Sequence, residues 1–236
     1  MNFKLGEFFC GPGGIAQGAI YSKSVKSNDG KLFSVEPGWA TDYDLDTCIT
    51  YAKNIHKKKF EDDDNVIHGD VRKINIAKLP PCDGFAFGFP CNDFSLVGES
   101  KGLNGNFGPL YSYGVEYLRT HQPKWFVAEN VGGLSSSNEG DAFKIILSAL
   151  EGSGYKIYPH LYKFEDYGVP QSRHRIIIVG FREDLNVDFK VPAPTTLNKK
   201  MTAYEAIMFP PITPELSNHD FTKQSEKVIQ RLKYIE

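Results

Sequence analysis

The chain has few cysteines, and none of Cys10, Cys48, Cys82 and Cys91 stands in a CxxC pair. Its six histidines form no HExxH or H-x-H group. Neither a bound metal nor a disulfide framework is therefore expected, and the thiols are read as free. No apolar run approaches the ~20 residues of a membrane span, and Met1-Asn2-Phe3-Lys4-Leu5-Gly6-Glu7 lacks the apolar core of a secretory signal. A cytoplasmic, intracellular protein without a membrane partner is the expectation. Neither sign of charge dominates: 27 Lys plus Arg stand against 29 Asp plus Glu, a formal net charge of -2, which excludes a wholly basic nucleic-acid coat. The basic run Lys57-Lys58-Lys59 is cancelled at once by Glu61-Asp62-Asp63-Asp64 and reads as a solvated loop. Repeats and low-complexity segments are absent. What remains is ordinary globular composition, 236 residues with 41% hydrophobic and 24% charged content.

Short apolar runs recur at Leu5–Phe9, Trp39–Thr41, Val66–His68, Phe85–Phe89, Trp125–Ala128, Tyr155–Leu161 and Ile176–Val179, bounded by Gly, Pro or Asp. Between them the spacing predicts helices over Gly14–Tyr21, Asp44–His56, Leu110–Thr120 and Asp141–Glu151, the last headed by an Asp suited to capping free N–H groups. This alternation predicts an α/β fold with a parallel or mostly parallel sheet. Prolines at 192, 194, 210, 211 and 214 break regular structure in the tail. Residues 1–185 are accordingly read as the main domain and residues 186–236 as a C-terminal arm.

The first strand runs into Phe9-Cys10-Gly11-Pro12-Gly13-Gly14-Ile15-Ala16 and then a helix. Glycines there let the backbone turn sharply and let a ligand approach main-chain N–H groups at the helix start. Asp42 and Asp70 close the second and third predicted strands, and an acid at the second can take both hydroxyls of a ribose. Gly11-x-Gly13-x-x-Ala16 also fits a nicotinamide or flavin site, so these residues support a nucleoside-containing cofactor without naming it. A ligand-free glycine turn explains the two acids less well.

After the fourth apolar run comes Gly88-Phe89-Pro90-Cys91-Asn92-Asp93-Phe94-Ser95, which puts Cys91 just past a strand's C-terminal end, where open α/β sheets place their chemistry. A thiol there is a candidate nucleophile, whereas Cys48 and Cys82 read as small buried hydrophobes. The fifth run ends in Ala128-Glu129-Asn130-Val131, which brings a carboxylate to the same edge; a Glu there costs desolvation unless it is paired. Farther on, Arg173 and Arg175 of Gln171-Ser172-Arg173-His174-Arg175 share one face of an extended segment, and His174 takes the other, read as structural. Two guanidinium groups can orient Glu129 and a polar base edge. Surface salt bridges are the alternative.

Taken in order, Phe9-Cys10-Gly11-Pro12-Gly13-Gly14, Asp42-Tyr43, Gly69-Asp70-Val71, Gly88-Phe89-Pro90-Cys91 with Phe94-Ser95, Glu129-Asn130-Val131 and Gln171-Ser172-Arg173-His174-Arg175 resemble the motifs of the DNA cytosine-5 methyltransferases, over a stretch reaching about Gly180. The nicotinamide reading then falls away. The resemblance implies a Rossmann-like S-adenosylmethionine-dependent fold, mostly parallel with an antiparallel last strand, whose catalytic domain is residues 1–185. It implies methyl transfer from S-adenosylmethionine to carbon 5 of a cytosine flipped out of double-stranded DNA, through a Cys91 adduct at carbon 6. On this reading Glu129 meets N3, and Arg175, helped by Arg173, holds O2. Phe9, Gly11, Gly13 and Gly14 line the methionine and ribose end of the cofactor. Asp42 takes the ribose hydroxyls, Tyr43 and Val71 the adenine faces, and Asp70 the exocyclic amine. Pro90 bridges the two sites, Ser95 closes on the nucleotide, and no metal is required.

The chain departs from the family in Asn92, where Gln is usual after Pro-Cys, and in Asn106-Phe107-Gly108-Pro109-Leu110-Tyr111, where an Arg is usual. Family members also carry a target-recognition region and a final Gly-Asn-Ser-Val-like segment, for which no counterpart appears. Residues 182–236 hold 8 Lys plus Arg and 8 Asp plus Glu, which is no groove for phosphates. A second protein subunit supplying recognition is therefore expected, with weak DNA binding by the chain alone and a bacterial or phage setting. An RNA cytosine-5 methyltransferase and an inactive remnant acting as a binding or regulatory protein are the alternatives.

Overall fold

Strand-forming runs and amphipathic helices build one eight-stranded sheet in the computed structural model, which describes residues 1–22, 25–90, 110–132, 140–211, 213 and 223–234. The strands are β1 (Asn2–Phe8), β2 (Val25–Lys26), β3 (Leu32–Asp42), β4 (Val66–His68), β5 (Gly84–Phe87), β6 (Trp125–Val131), β7 (Tyr155–Lys163) and β8 (His174–Arg182). They lie in the order β2-β3-β1-β5-β6-β8-β7, with β4 paired to β3. The ladders β1/β3, β1/β5, β3/β4 and β5/β6 are parallel. β8 enters antiparallel to β6, and β7 and β2 are antiparallel to their partners. The expected architecture holds, including the antiparallel last strand.

The helices that cover the first five parallel strands follow from the pattern. They are α1 (Gly14–Tyr21), α2 (Leu45–Tyr51), α3 (Tyr111–His121) and α4 (Gly140–Glu151). Asp44 caps α2 by accepting the Thr47 N–H at 2.8 Å, and a π-helical turn carries the chain on to His56. α4 begins at Gly140, so Asp141 falls inside its first turn and not ahead of it.

β3 is much longer than Trp39–Thr41, because Pro37 and Gly38 hide its first half from a pattern search. The register explains how they are accommodated: Leu5 pairs with Pro37 and Gly6 with Trp39, so Gly38 is the extra residue of a bulge.

Alternation along β3 sends Trp39 and Ala40 to opposite faces. Trp39 joins the larger core with Phe8, Phe85, Phe87, Tyr117, Leu118 and Phe126, beneath α3 and α4. Ala40 joins Cys10, Ala16, Cys48, Tyr51, Ala52 and Ile55, beneath α1 and α2. β1 is buried without interruption from Leu5 to Phe8, as a central parallel strand covered on both faces must be. Three cross-strand pairs set an aromatic ring over a glycine: Gly6 with Trp39, Gly84 with Trp125, and Gly180 with Phe126.

Packing separates the chain into two units, Met1–Lys163 with Arg173–Ala193, and Phe164–Ser172 with Pro194–Glu236. Within the first unit, residues after 185 still lie on the sheet: the Tyr158 hydroxyl donates to the Val187 carbonyl at 2.9 Å, and Phe189 packs on Tyr158 and Phe181. The second unit is held locally. Thr196 donates to the Glu165 carbonyl and accepts the Gly168 N–H, both at 2.9 Å. α5 (Ala203–Met208) carries a capping box between Thr202 and Glu205, and neither it nor α6 (Glu226–Leu232) contains a buried residue.

A Cβ at Gly180 would lie 2.0 Å from the ring of Phe126, which is fully buried and has no free space to occupy. Gly180→Ala is expected to cost about 1–3 kcal/mol by overpacking, visible as a lower midpoint in urea or heat. An unchanged midpoint would contradict the ring-over-glycine packing.

Candidate functional site

The C-terminal ends of β1, β3, β4, β5 and β6 share one edge, because these strands run in one direction. At the end of β1 the backbone turns through left-handed conformations at Phe9 (φ 53°), Gly11 (φ 52°) and Gly13 (φ 97°). A Cβ at Gly13 would come 2.6 Å from Ile55, so only glycine fits there. Gly13 caps α1 without a side chain.

Under the turn lies Glu7, 1% exposed, whose carboxyl accepts the Tyr51 hydroxyl at 2.7 Å. Burial pushes its pKa up to about 7. Glu7 was not singled out from the sequence, although an acid within the apolar run Leu5–Phe9 is the signal that marks it.

Asp42 ties this turn to the end of β3. Its Oδ2 accepts the Gly11 N–H at 2.9 Å and its Oδ1 the Asp44 N–H at 3.0 Å. Each oxygen keeps a second lone pair, so both can still receive a hydroxyl. Beside it opens a cavity of about 650 Å³, and of the expected cofactor residues Phe9, Asp42, Tyr43, Asp70, Val71 and Pro90 line it. Gly11, Gly13 and Gly14 are not among the lining residues. Thr41, His68, Gly69, Arg72, Lys73 and Leu110 complete the wall, and pattern reasoning had not selected them. An aromatic and apolar wall with two carboxylates suits a nucleoside, flat and rich in donors. Asp70 differs from Asp42 in being engaged by a cation: Arg72 donates to both of its oxygens and holds its carboxyl below the usual range.

The second half of the site lies where β5 and β6 end side by side. Phe87 pairs with Ala128, so Gly88 follows beside Glu129, and a Cβ on Gly88 would stand 3.4 Å from Glu129 Oε2. On the other side of β6, Val131 pairs with Arg175 and Glu129 with Ile177, which sets Arg175 diagonal to Glu129 on one face. Arg175 Nε reaches Glu129 Oε1 at 2.8 Å, and Arg173 Nη2 lies at 3.9 Å from the same oxygen. Both arginines therefore converge on Glu129, which remains 29% exposed at its side chain. Buried Asn130 accepts the Val131 N–H and donates to the Phe89 carbonyl at 3.3 Å, linking β6 to the segment that leads into Pro90. That asparagine was quoted within a motif, but no role was read for it.

Cys91 and Ser95 lie outside the described residues, as do Asn92 and Asn106 to Pro109. The described thiols of Cys10, Cys48 and Cys82 are all free and all pushed up by burial, to about 11 for Cys48 and Cys82. They are poor nucleophiles at neutral pH. Among the described residues, no group of three His, Cys, Asp or Glu side chains could hold a metal ion, and no helix is long and apolar enough to cross a membrane.

The profile of the C-5 cytosine-specific DNA methylase family matches residues 3–236. The chain is 50% identical over 242 residues to the Type II methyltransferase M.BbvI of Brevibacillus brevis, covering 100% of this chain and 63% of that protein. It is 36% identical to M.NgoFVII of Neisseria gonorrhoeae, covering 85% of this chain and 54% of that one. The chain thus spans less than two thirds of the length of these relatives. Among solved structures, a DNA modification methyltransferase encoded within an E. coli prophage superposes with a TM-score of 0.66 at 23% identity, over 94% of this chain and 58% of that one; this likeness shows the fold.

Glu7 makes stability depend on pH with a definite sign. Its carboxyl titrates near 4.5 when solvated and near 7 when folded, so the folded state binds the extra proton between these values. Stability falls as pH rises from 4.5 to 7 and levels off above, a loss of roughly 3 kcal/mol from this group. Glu7→Gln is expected to flatten that part of the profile and to gain on the wild type at pH above 7, by urea unfolding across the range. A parallel profile in the variant would remove Glu7 as the cause.

Proposed function

This chain belongs to the C-5 cytosine-specific DNA methylase family, and from that premise we propose that it methylates carbon 5 of a flipped cytosine in DNA through a covalent adduct at Cys91. The observation that carries the reading is the meeting of Glu129 and Arg175 at 2.8 Å beside Gly88, on the edge where the nucleoside-sized cavity reaches Pro90. A base-recognising pair and a cofactor cavity then flank the residue that precedes Cys91.

The family's cofactor is S-adenosylmethionine, which when bound would supply its methyl group to carbon 5, leaving as S-adenosylhomocysteine, before the proton at that carbon departs. The chain's own groups do the rest. Carbon 5 of cytosine is a weak nucleophile, and addition of the Cys91 thiolate to carbon 6 makes the ring an enamine. Glu129 hydrogen-bonds or protonates N3, where the electrons are pushed, and Arg175 bonds O2 while fixing the carboxylate. Loss of the proton at carbon 5 to a base then re-forms the ring double bond and releases Cys91. Asp42 takes the ribose hydroxyls with its free lone pairs, Tyr43 and Val71 face the adenine, and Asp70 receives its amine. Ser95 closes on the extruded nucleotide. Flipping costs a few kcal/mol and requires a grip on the duplex. The even charge balance of residues 182–236 offers no concentrated cationic groove for duplex phosphates, and a second polypeptide is the proposed source of target recognition. The biological setting we infer is the modification arm of a Type II restriction-modification system.

Trapping on duplex DNA that carries 5-fluorocytosine, with S-adenosylmethionine, tests the reading; transfer RNA with the same base is the control. A denaturant-stable DNA adduct that disappears in Cys91→Ser is expected. An adduct on RNA alone would overturn the assignment to DNA.

The two arginines should separate. Arg175→Ala, which breaks the 2.8 Å pair, is expected to slow adduct formation about tenfold or more, and Arg173→Ala, at 3.9 Å, only a few-fold. Equal losses would argue against Arg175 as the principal partner of Glu129.

A further inference from the structure

Resting on the assignment of the cavity to the adenosyl group, we propose that Arg72 is a specificity-determining residue: a built-in competitor for the acidic position that the ligand's 6-amino group must take. Asp70 Oδ1 accepts the Arg72 main-chain N–H and its Nε, both at 3.0 Å. Oδ2 receives Nε at 2.9 Å and Nη2 at 2.6 Å. Nε carries a single hydrogen, shared between the two oxygens, so Arg72 engages both oxygens of Asp70 through three donor groups, its main-chain N–H, Nε and Nη2. Asp42, across the same cavity, holds only one amide on each oxygen and keeps the rest free.

The two kinds of bond from Arg72 differ in how easily they yield. Its main-chain N–H donates to Asp70, the N-cap of the short turn Val71–Lys73, and stays whatever the side chain does. The guanidinium is 52% exposed at its side chain, against 26% for Asp70. An exposed pair of this kind is weak and screened by salt. An adenine amine can therefore displace it, at a cost of a few-fold in affinity. The guanidinium only donates, so a 6-oxo base meets a ready donor in Arg72, whereas a 6-amino base must compete with Arg72 for the oxygens of Asp70. Arg72 thus narrows the preference of the cavity for adenine over its 6-oxo counterpart.

Calorimetric titration of the chain and of Arg72→Met, which keeps the apolar stem and removes the donors, decides the matter. The ligands are S-adenosylhomocysteine and S-inosylhomocysteine, each at low and at high potassium chloride. The variant is expected to bind S-adenosylhomocysteine roughly three- to fivefold tighter at low salt, with the gap closing at high salt, and to bind S-inosylhomocysteine no better than the wild type. Equal or weaker binding of S-adenosylhomocysteine by the variant would overturn the proposal, as would an equal gain for both ligands. Failure of the wild type to bind S-adenosylhomocysteine at all would instead overturn the cavity's assignment, and the inference with it. Normal wild-type binding with a silent variant sinks only the role of Arg72.

Discussion

The site depends on the register between β6 and β8. Because β8 runs against β6, the residue two before the partner of Glu129, Ile177, lies diagonal to Glu129, and Arg175 arrives at 2.8 Å from a carboxylate that closes an apolar strand. A one-residue slip would turn Arg175 to the other face, and Arg173 with it, away from Glu129. The register is itself held by packing: Phe126 lies over Gly180, and no residue with a Cβ can replace that glycine without displacing the ring. A core constraint thus fixes the distance between two charged groups at the strand ends.

A similar division of labour governs the glycine turn. The turn needs left-handed residues and no side chain at Gly13, so the helix start behind it has no cap of its own. Glu7 and Tyr51 bond to each other in the buried layer, from a strand and a helix 44 positions apart in sequence. The acid is kept near neutrality by burial, which limits the negative charge beneath the start of α1. Asp42 does the corresponding work above, with its amides spent on the loop and its outer lone pairs left over.

Much of this was legible beforehand, for identifiable reasons. Strands buried on both faces read as apolar runs, and helices between them as apolar spacing, so β4 and α1 appear at the limits expected for them. Chemistry-bearing residues at strand ends carry their own punctuation in Gly, Pro and Asp. The first half of β3 escaped because Pro37 and Gly38 read as breakers, and only the bulge opposite Leu5 and Gly6 shows how a strand absorbs them. Glu7 and Asn130 escaped because their roles are bonds to distant partners, Tyr51 and the Phe89 carbonyl, which local pattern does not contain.

By itself the sequence determined which groups reach the working edge: a glycine turn, two acids, a Glu after an apolar strand, and two arginines in step along an extended segment. That much follows from periodicity, since a strand's alternation and a turn's need for glycine are local properties of the backbone. Tertiary structure decided how those groups are used. Asp42 and Asp70 look alike in sequence, yet one holds only main-chain amides and the other is engaged on both oxygens by the Arg72 guanidinium, because hydrogen-bond occupancy depends on what the fold brings within 3 Å.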